Sequence, residues 1–318
     1  KAQKNCFAVG LTSVNDAGLD LKDVLLIDNL QKSGKLLMRV NVMLTPTQEN
    51  YTHFLDNGVF TTPSLTVRTV KLYADGALGS RGAWLLEPYS DAPNTQGLQL
   101  ETRERLTEVC QKAFDSGYQV AIHCIGDAAV RQVIDVYEQF LTPGNDLRWR
   151  IEHAQTVHPN DLPRFGQLAI VPSIQTTHAT SDMIWAAERL GDRIKTAYIY
   201  QDLLKQNGWL PNGSDFPIEH IKPLYGFYAG VARKNMDGYP ANGFQMENSL
   251  TREQALRAMT IWAAKAAFEE SFKGSLEPGK LADFVVLEED IMIIAQDRLP
   301  KIKVEKTFVN GKVVYLNH

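Results

Sequence analysis

Residues 118–153, YQVAIHCIGDAAVRQVIDVYEQFLTPGNDLRWRIEH, decide the fold. They open with an apolar run that stops on a histidine, Tyr118–His123. A turn follows, and then a segment over 128–140 in which Val130, Val133, Ile134 and Tyr137 fall on one helical stripe. A second run, Arg148–His153, also ends on a histidine. A strand, a crossing helix and another strand in so short a span form a parallel βαβ unit. Both strands carry an imidazole at the C-terminal end, where barrel enzymes made of parallel strands assemble their sites.

The same alternation recurs on either side. The runs Leu11–Asn15, Leu36–Met43, Val67–Tyr73, Leu168–Gln175 and Trp209–Ser214 bring the strands to seven, and helical periods cover Thr102–Phe114 and Thr251–Phe268. The last of these holds Leu256, Met259, Ile261, Trp262 and Ala266, with Ser249 or Thr251 as its cap and Glu253 beside its positive end. No GxGxxG or GxxxxGK[ST] follows a strand, which removes the usual reason for a doubly wound nucleotide-binding sheet. The expected fold is α/β, a (β/α)8 TIM-type barrel with its first strand missing. Residues 1–10 read as the end of a helix stopped by Gly10, so that first strand is expected upstream of Lys1.

From Gly274 the pattern changes. A turn-rich stretch, Gly274–Lys280, leads to the strands Phe284–Leu287, Val304–Val309 and Val313–Leu316, the last two joined by Asn310-Gly311. The division is thus 1–273 for the barrel (strands 2–8) and 274–318 for the C-terminal part of a composite β-sandwich. Three short strands make a marginal core. Open strand edges are expected to favour self-association.

Of the 318 residues, 44% are hydrophobic and 22% charged, with a formal net charge of −4. This balance argues against a nucleic-acid or anionic-membrane partner, both of which call for a clustered basic face, and leaves a small-molecule substrate open. No apolar run reaches the ~18 residues of a membrane span. No leader is visible, so the compartment stays open with the cytoplasm as the default. Cys6, Cys110 and Cys124 include no CxxC pair, and Cys110 and Cys124, in apolar segments, read as buried thiols.

Four polar side chains end or interrupt apolar strands: Lys71, His123, His153 and Asp215. Taken singly, each has an ordinary explanation: a hydrogen-bonded core histidine, a helix cap, a lysine on the rim. Together, at the ends of four barrel strands, they point to a metal centre, because unpaired buried charge is costly and imidazole and carboxylate are ligands of zinc. Arg150 and Glu152 read as a structural pair. Glu152, one residue before His153, is expected to point toward the helices.

Five motifs in order resemble the amidohydrolase superfamily, in particular its YtcJ-like branch: Val70–Arg81 (VKLYADGALGSR), His123-Cys124-Ile125-Gly126-Asp127, Ile151-Glu152-His153-Ala154-Gln155, Asn212–Pro217 (NGSDFP) and Gly274–Leu287. The resemblance covers almost the whole chain. It implies a metal-dependent hydrolase of amide-like C–N bonds, such as N-substituted formamides, N-acyl amines or cyclic amides, with ester or phosphotriester hydrolysis as the alternative. It further implies one or two divalent ions, zinc by preference. His123 and His153 would hold one ion, and Asp215 would hold the other and serve as catalytic general base. Lys71 would be a carboxylated bridge. Beside these, His178 reads as either facing substrate or packing its loop, Asp75 with Arg81 as either a loop-ordering pair or a contact for a substrate carboxylate or amide, and Asp127 as either a helix cap or the group that orients a ligating histidine. The superfamily's His-x-His is absent from these residues. The expectation is therefore a metal-poor chain, inactive alone, which makes a non-catalytic fragment the rival reading.

Overall fold

A computed structural model describes residues 1–317. The strands are β1 (Ser13–Leu19), β2 (Arg39–Leu44), β3 (Phe60–Thr61), β4 (Leu65–Tyr73), β5 (Gln119–Cys124), β6 (Arg150–His153), β7 (Val171–Ser173), β8 (Phe284–Leu287), β9 (Val304–Val309) and β10 (Lys312–Leu316). The main sheet runs β1-β2-β4-β5-β6-β7, every neighbouring pair parallel, with β3 added antiparallel to β4. It is a curled, incomplete TIM-type barrel. Among the described residues the outer edge of β1 has no partner strand.

The expected seventh strand, Trp209–Ser214, shrinks to a single parallel bridge between Ile174 and Asn212. Pro211 has no N–H to donate, and the N–H of Asn212 goes to the carbonyl of Ala258 at 3.0 Å rather than to a strand neighbour. The same bond breaks the helix expected over Thr251–Phe268. It splits into Arg252–Ala258 and Ile261–Ala266, because the Ala258 carbonyl is taken and Thr260 leaves helical geometry at φ −127, ψ −98. Thr251 is the cap, in a reciprocal capping box with Gln254.

Strand periodicity sorts the side chains. Val70, Leu72, Val120, Ile122 and Ile151 are fully buried with the helical stripe Val130, Val133, Ile134 and Tyr137 in one apolar cluster. Register places the polar set on the other face: Tyr73 is opposite His123, His123 opposite Glu152, and Lys71 opposite Ala121. Glu152 therefore faces the barrel interior with His123, not the helices. It remains beside Arg150, at 2.9 Å.

Strands β10-β9-β8 form a separate antiparallel sheet against the helix Ala2–Ala8, with the Thr307 hydroxyl donating to the Phe7 carbonyl at 2.7 Å. Arg39, the first residue of β2, ties that sheet to the barrel. Its buried guanidinium donates to both oxygens of Asp283, to Asn310 Oδ1 at 2.6 Å and to the Pro63 carbonyl at 2.7 Å. No helix among the described residues is long and apolar enough to cross a membrane.

Candidate metal centre

Parallel strands deliver their C-terminal residues to one mouth, and local backbone geometry does the rest. His153 follows Glu152, so a regular strand would turn one of the two away. Instead the backbone turns left-handed at His153 (φ 72) and Ala154 (φ 43), and the imidazole comes back to the interior face. The centroids of the His123 and His153 rings lie 4.5 Å apart, edge to face. Asp215 is also left-handed, at φ 54. Left-handed conformations at non-glycine residues concentrate where a site requires them.

The donor atoms brought together are those of His153, His178 and Asp215, all within 4.8 Å of one another. His178 sits in the helix Thr176–Asp182, its ring stacked on that of His153 with centroids 5.8 Å apart. Its Nδ1 is 3.1 Å from Glu219 Oε1, which leaves Nε2 as the nitrogen free to ligate. Ser181 also donates to Glu219, at 2.7 Å. Sequence reasoning assigned His178 to substrate or support and did not single out Glu219, four residues beyond Asp215. The only trace in the sequence was the NGSDFP motif just before it.

A divalent ion fits this donor set. Two buried ring nitrogens, His123 Nε2 and His153 Nδ1, have no hydrogen-bond partner, a costly state in a folded interior. Burial pushes the His123 imidazole down to about 4, helped by the nearby Lys71 charge, and holds that of His153 well below its ordinary value. Both rings are neutral at physiological pH, as metal ligands must be. Asp215 lies exposed at the mouth. The partial desolvation it does feel raises its carboxyl, against the pull of His178 and Lys71.

Lys71 is buried on the interior face, its Nζ donating to the Leu72 carbonyl at 3.0 Å and lying 3.6 Å from the centre of the Tyr73 ring. Desolvation lowers its pKa to about 8, the nearby Glu152 charge opposing.

The other candidates divide differently from the expectation. Asp75 does not pair with Arg81. Its buried carboxylate accepts from the backbone N–H of Trp84 (2.9 Å), Ile125 (3.0 Å) and Gly126 (2.7 Å), and stands 3.5 Å from His123 Nε2. Burial pushes the Asp75 carboxyl up to about 7 even against those three donors. Arg81 instead meets Asp91 at 2.8 Å in the outer loop. Asp127 neither caps its helix nor touches a site histidine; it accepts the Leu86 N–H at 2.9 Å and pins the loop that crosses β5. That crossing explains the glycine of the His123–Asp127 motif: a Cβ on Gly126 would lie 1.9 Å from the Trp84 carbonyl oxygen.

Known proteins resemble this chain along most of its length. The model of a family described as "Amidohydrolase family" matches residues 1–315. The chain is 36% identical to Protein LONG AFTER FAR-RED 3 of Arabidopsis thaliana (99% of this chain, 56% of that protein) and 34% identical to the putative amidohydrolase YtcJ of Bacillus subtilis (80% and 48%). It is 26% identical to the N-substituted formamide deformylase of Arthrobacter pascens (97% and 58%). A crystal structure of an uncharacterized metal-dependent hydrolase from Pyrococcus horikoshii OT3 superposes with a TM-score of 0.81 at 32% identity, over 93% of this chain and 59% of that one. The chain thus spans about half the length of the curated relatives it matches.

Proposed function

Since the chain belongs to the amidohydrolase family, we propose that it carries the greater part of a metal-dependent hydrolase site for amide-like C–N bonds in small molecules. The observation that carries this reading is the convergence of His153, His178 and Asp215 beside two unpartnered buried imidazole nitrogens. These residues would hold the ion, with His123 adjoining. A divalent ion there, zinc by preference, supplies Lewis acidity toward a carbonyl and a water of lowered pKa.

The chain's own groups do the rest. Asp215, exposed at the mouth, takes the proton of the attacking water and returns it to the leaving nitrogen. Glu219 fixes the tautomer and tilt of His178. Asp75 fixes the strand end that carries His123. Lys71, desolvated beside Tyr73 and attracted by Glu152, has the neutral amine fraction that adds to carbon dioxide with loss of a proton, and the carbamate so formed would be a further ligand for the metal. The name of the Arthrobacter relative supports N-substituted formamides as the first class to assay.

The test measures metal content per chain and turnover on a panel of N-substituted formamides, N-acyl amines and cyclic amides, beside an ester and a phosphotriester. Amide turnover that needs metal, and that falls roughly 10²–10⁴-fold in Asp215→Asn with the circular dichroism unchanged, is the expected result. Undiminished turnover in Asp215→Asn would remove its role as base. Preferential cleavage of the ester or phosphotriester would replace the C–N reading.

A further inference from the structure

We propose that a cleft at the opposite, N-terminal end of the barrel strands binds a small organic carboxylate with an apolar body. This inference does not rest on the hydrolase reading. The cleft holds about 360 Å³ and is lined by Thr62, Pro63, Arg68, Phe268, Phe272 and Leu281, among others. That volume lies at the lower end of small-molecule sites. Arg68 stands in the first half of β4, whereas Lys71 and Tyr73 close the other end of the same strand.

The charges around the cleft are satisfied except one. Arg39 is spent on Asp283, Asn310 and Pro63. Glu269 accepts from the Thr66 hydroxyl at 2.7 Å and pairs with Lys273. Arg148 is held by Asp146, Glu270 and the Lys265 carbonyl. Arg68 has no carboxylate partner among the described residues, and its Nε is buried with no hydrogen-bond acceptor. What it does touch is the Phe268 ring, whose centre lies 3.8 Å from its guanidinium carbon and 4.3 Å from that of Arg148. Phe268 adopts a left-handed backbone (φ 60) to place its ring there. The aromatic face orients the guanidinium without neutralising it.

Thr62 supplies a second polar contact. Its hydroxyl oxygen already accepts from the N–H of Ser64 (3.2 Å) and of Leu65 (3.0 Å), so its proton is free to donate into the cleft. One planar cation without a direct ion pair and one hydroxyl donor match a monoanionic carboxylate, which a guanidinium binds through two parallel hydrogen bonds. A phosphate dianion would require further donors. Pro63, Phe272 and Leu281 provide a surface for an apolar body.

Isothermal titration calorimetry on the whole chain tests this, with phenylacetate, the neutral phenylacetamide and inorganic phosphate as probes. Phenylacetate is expected to bind one site per chain at about millimolar affinity or tighter, with the other two at least tenfold weaker. Arg68→Gln should weaken phenylacetate binding roughly 10- to 100-fold and leave metal content unchanged. Asp215→Asn and added zinc should leave the binding as it was, which separates this site from the metal centre. Where Arg68→Gln does not fold, Arg68→Lys keeps the charge but not the fork, and several-fold weaker binding is expected. No phenylacetate binding, binding indifferent to both Arg68 variants, binding lost in Asp215→Asn, or a response to phosphate alone would each overturn the proposal.

Discussion

Glu219→Gln probes the metal centre through a residue that is not itself among its ligands. Glu219 accepts from His178 Nδ1 at 3.1 Å and from Ser181 at 2.7 Å. Glutamine keeps the volume and one acceptor oxygen but loses the charge. Groups that orient a ligating histidine in this way are worth about 10- to 100-fold in metal affinity. For 318 residues the unfolding entropy near 60 °C is roughly 0.7 kcal/mol per K. Zinc buffered at about 1,000 times its Kd stabilises the native chain by about 4.1 kcal/mol, a rise in Tm of roughly 6 °C. At the same free zinc the variant would retain about 2.7 to 1.4 kcal/mol, or roughly 4 to 2 °C. Differential scanning calorimetry with and without buffered zinc reads this difference, and the metal-free Tm should barely move. An undiminished zinc-induced rise in the variant would refute the orienting role of Glu219. No rise in the parent protein would refute the cluster itself.

Other measurements reach other parts of the structure. Asp75→Ala strands two buried backbone donors and a part-buried third and should cost about 3–5 kcal/mol, read as a lowered urea midpoint; a midpoint within experimental scatter of the parent would show that the loop does not depend on it. His123 is held at about 4 by burial, so in the metal-free chain the unfolded state binds a proton that the folded state refuses between about pH 6.5 and 4. Stability should therefore fall as pH drops through that window, by up to about 3 kcal/mol, and less so in His123→Gln; identical pH profiles for the two proteins would contradict this. The open edge of β1 should draw chains together, so light scattering is expected to report species above 35.6 kDa, and a strictly monomeric protein would dismiss self-association.

Much of the fold could be read because apolar runs and helical stripes are bulk properties. Six of the seven expected strand positions and the polar ends of β4, β5 and β6 need no tertiary information. What period-two reasoning could not anticipate is a change of backbone region. It turned Glu152 outward because it assumed extended geometry through His153, and the left-handed turn at residues 153 and 154 lets both side chains serve the interior. Competition for backbone partners was equally invisible. The Ala258 carbonyl, claimed by Asn212, both shortens the expected seventh strand and interrupts the expected long helix. Asp75 and Arg81 looked like a pair by proximity in the chain, but a buried carboxylate among three N–H groups has no need of a distant guanidinium. His178 was visible only as a polar residue after a strand, since its partner Glu219 is brought to it by the fold.

The tie between Arg39 and Asp283 also sets a schedule. The two residues are 244 positions apart in the chain. A ribosome adding about 5–20 residues per second delivers the aspartate roughly 12 to 50 seconds after the arginine. Throughout that interval the start of β2 carries a cation whose native niche is dry but whose counter-ion has not been made, so this corner of the barrel has to stay open to water. The sheet β10-β9-β8 is in this sense a late-arriving keystone: β1 and β2 can pair early, but they cannot seal until residues 284–316 have left the exit tunnel.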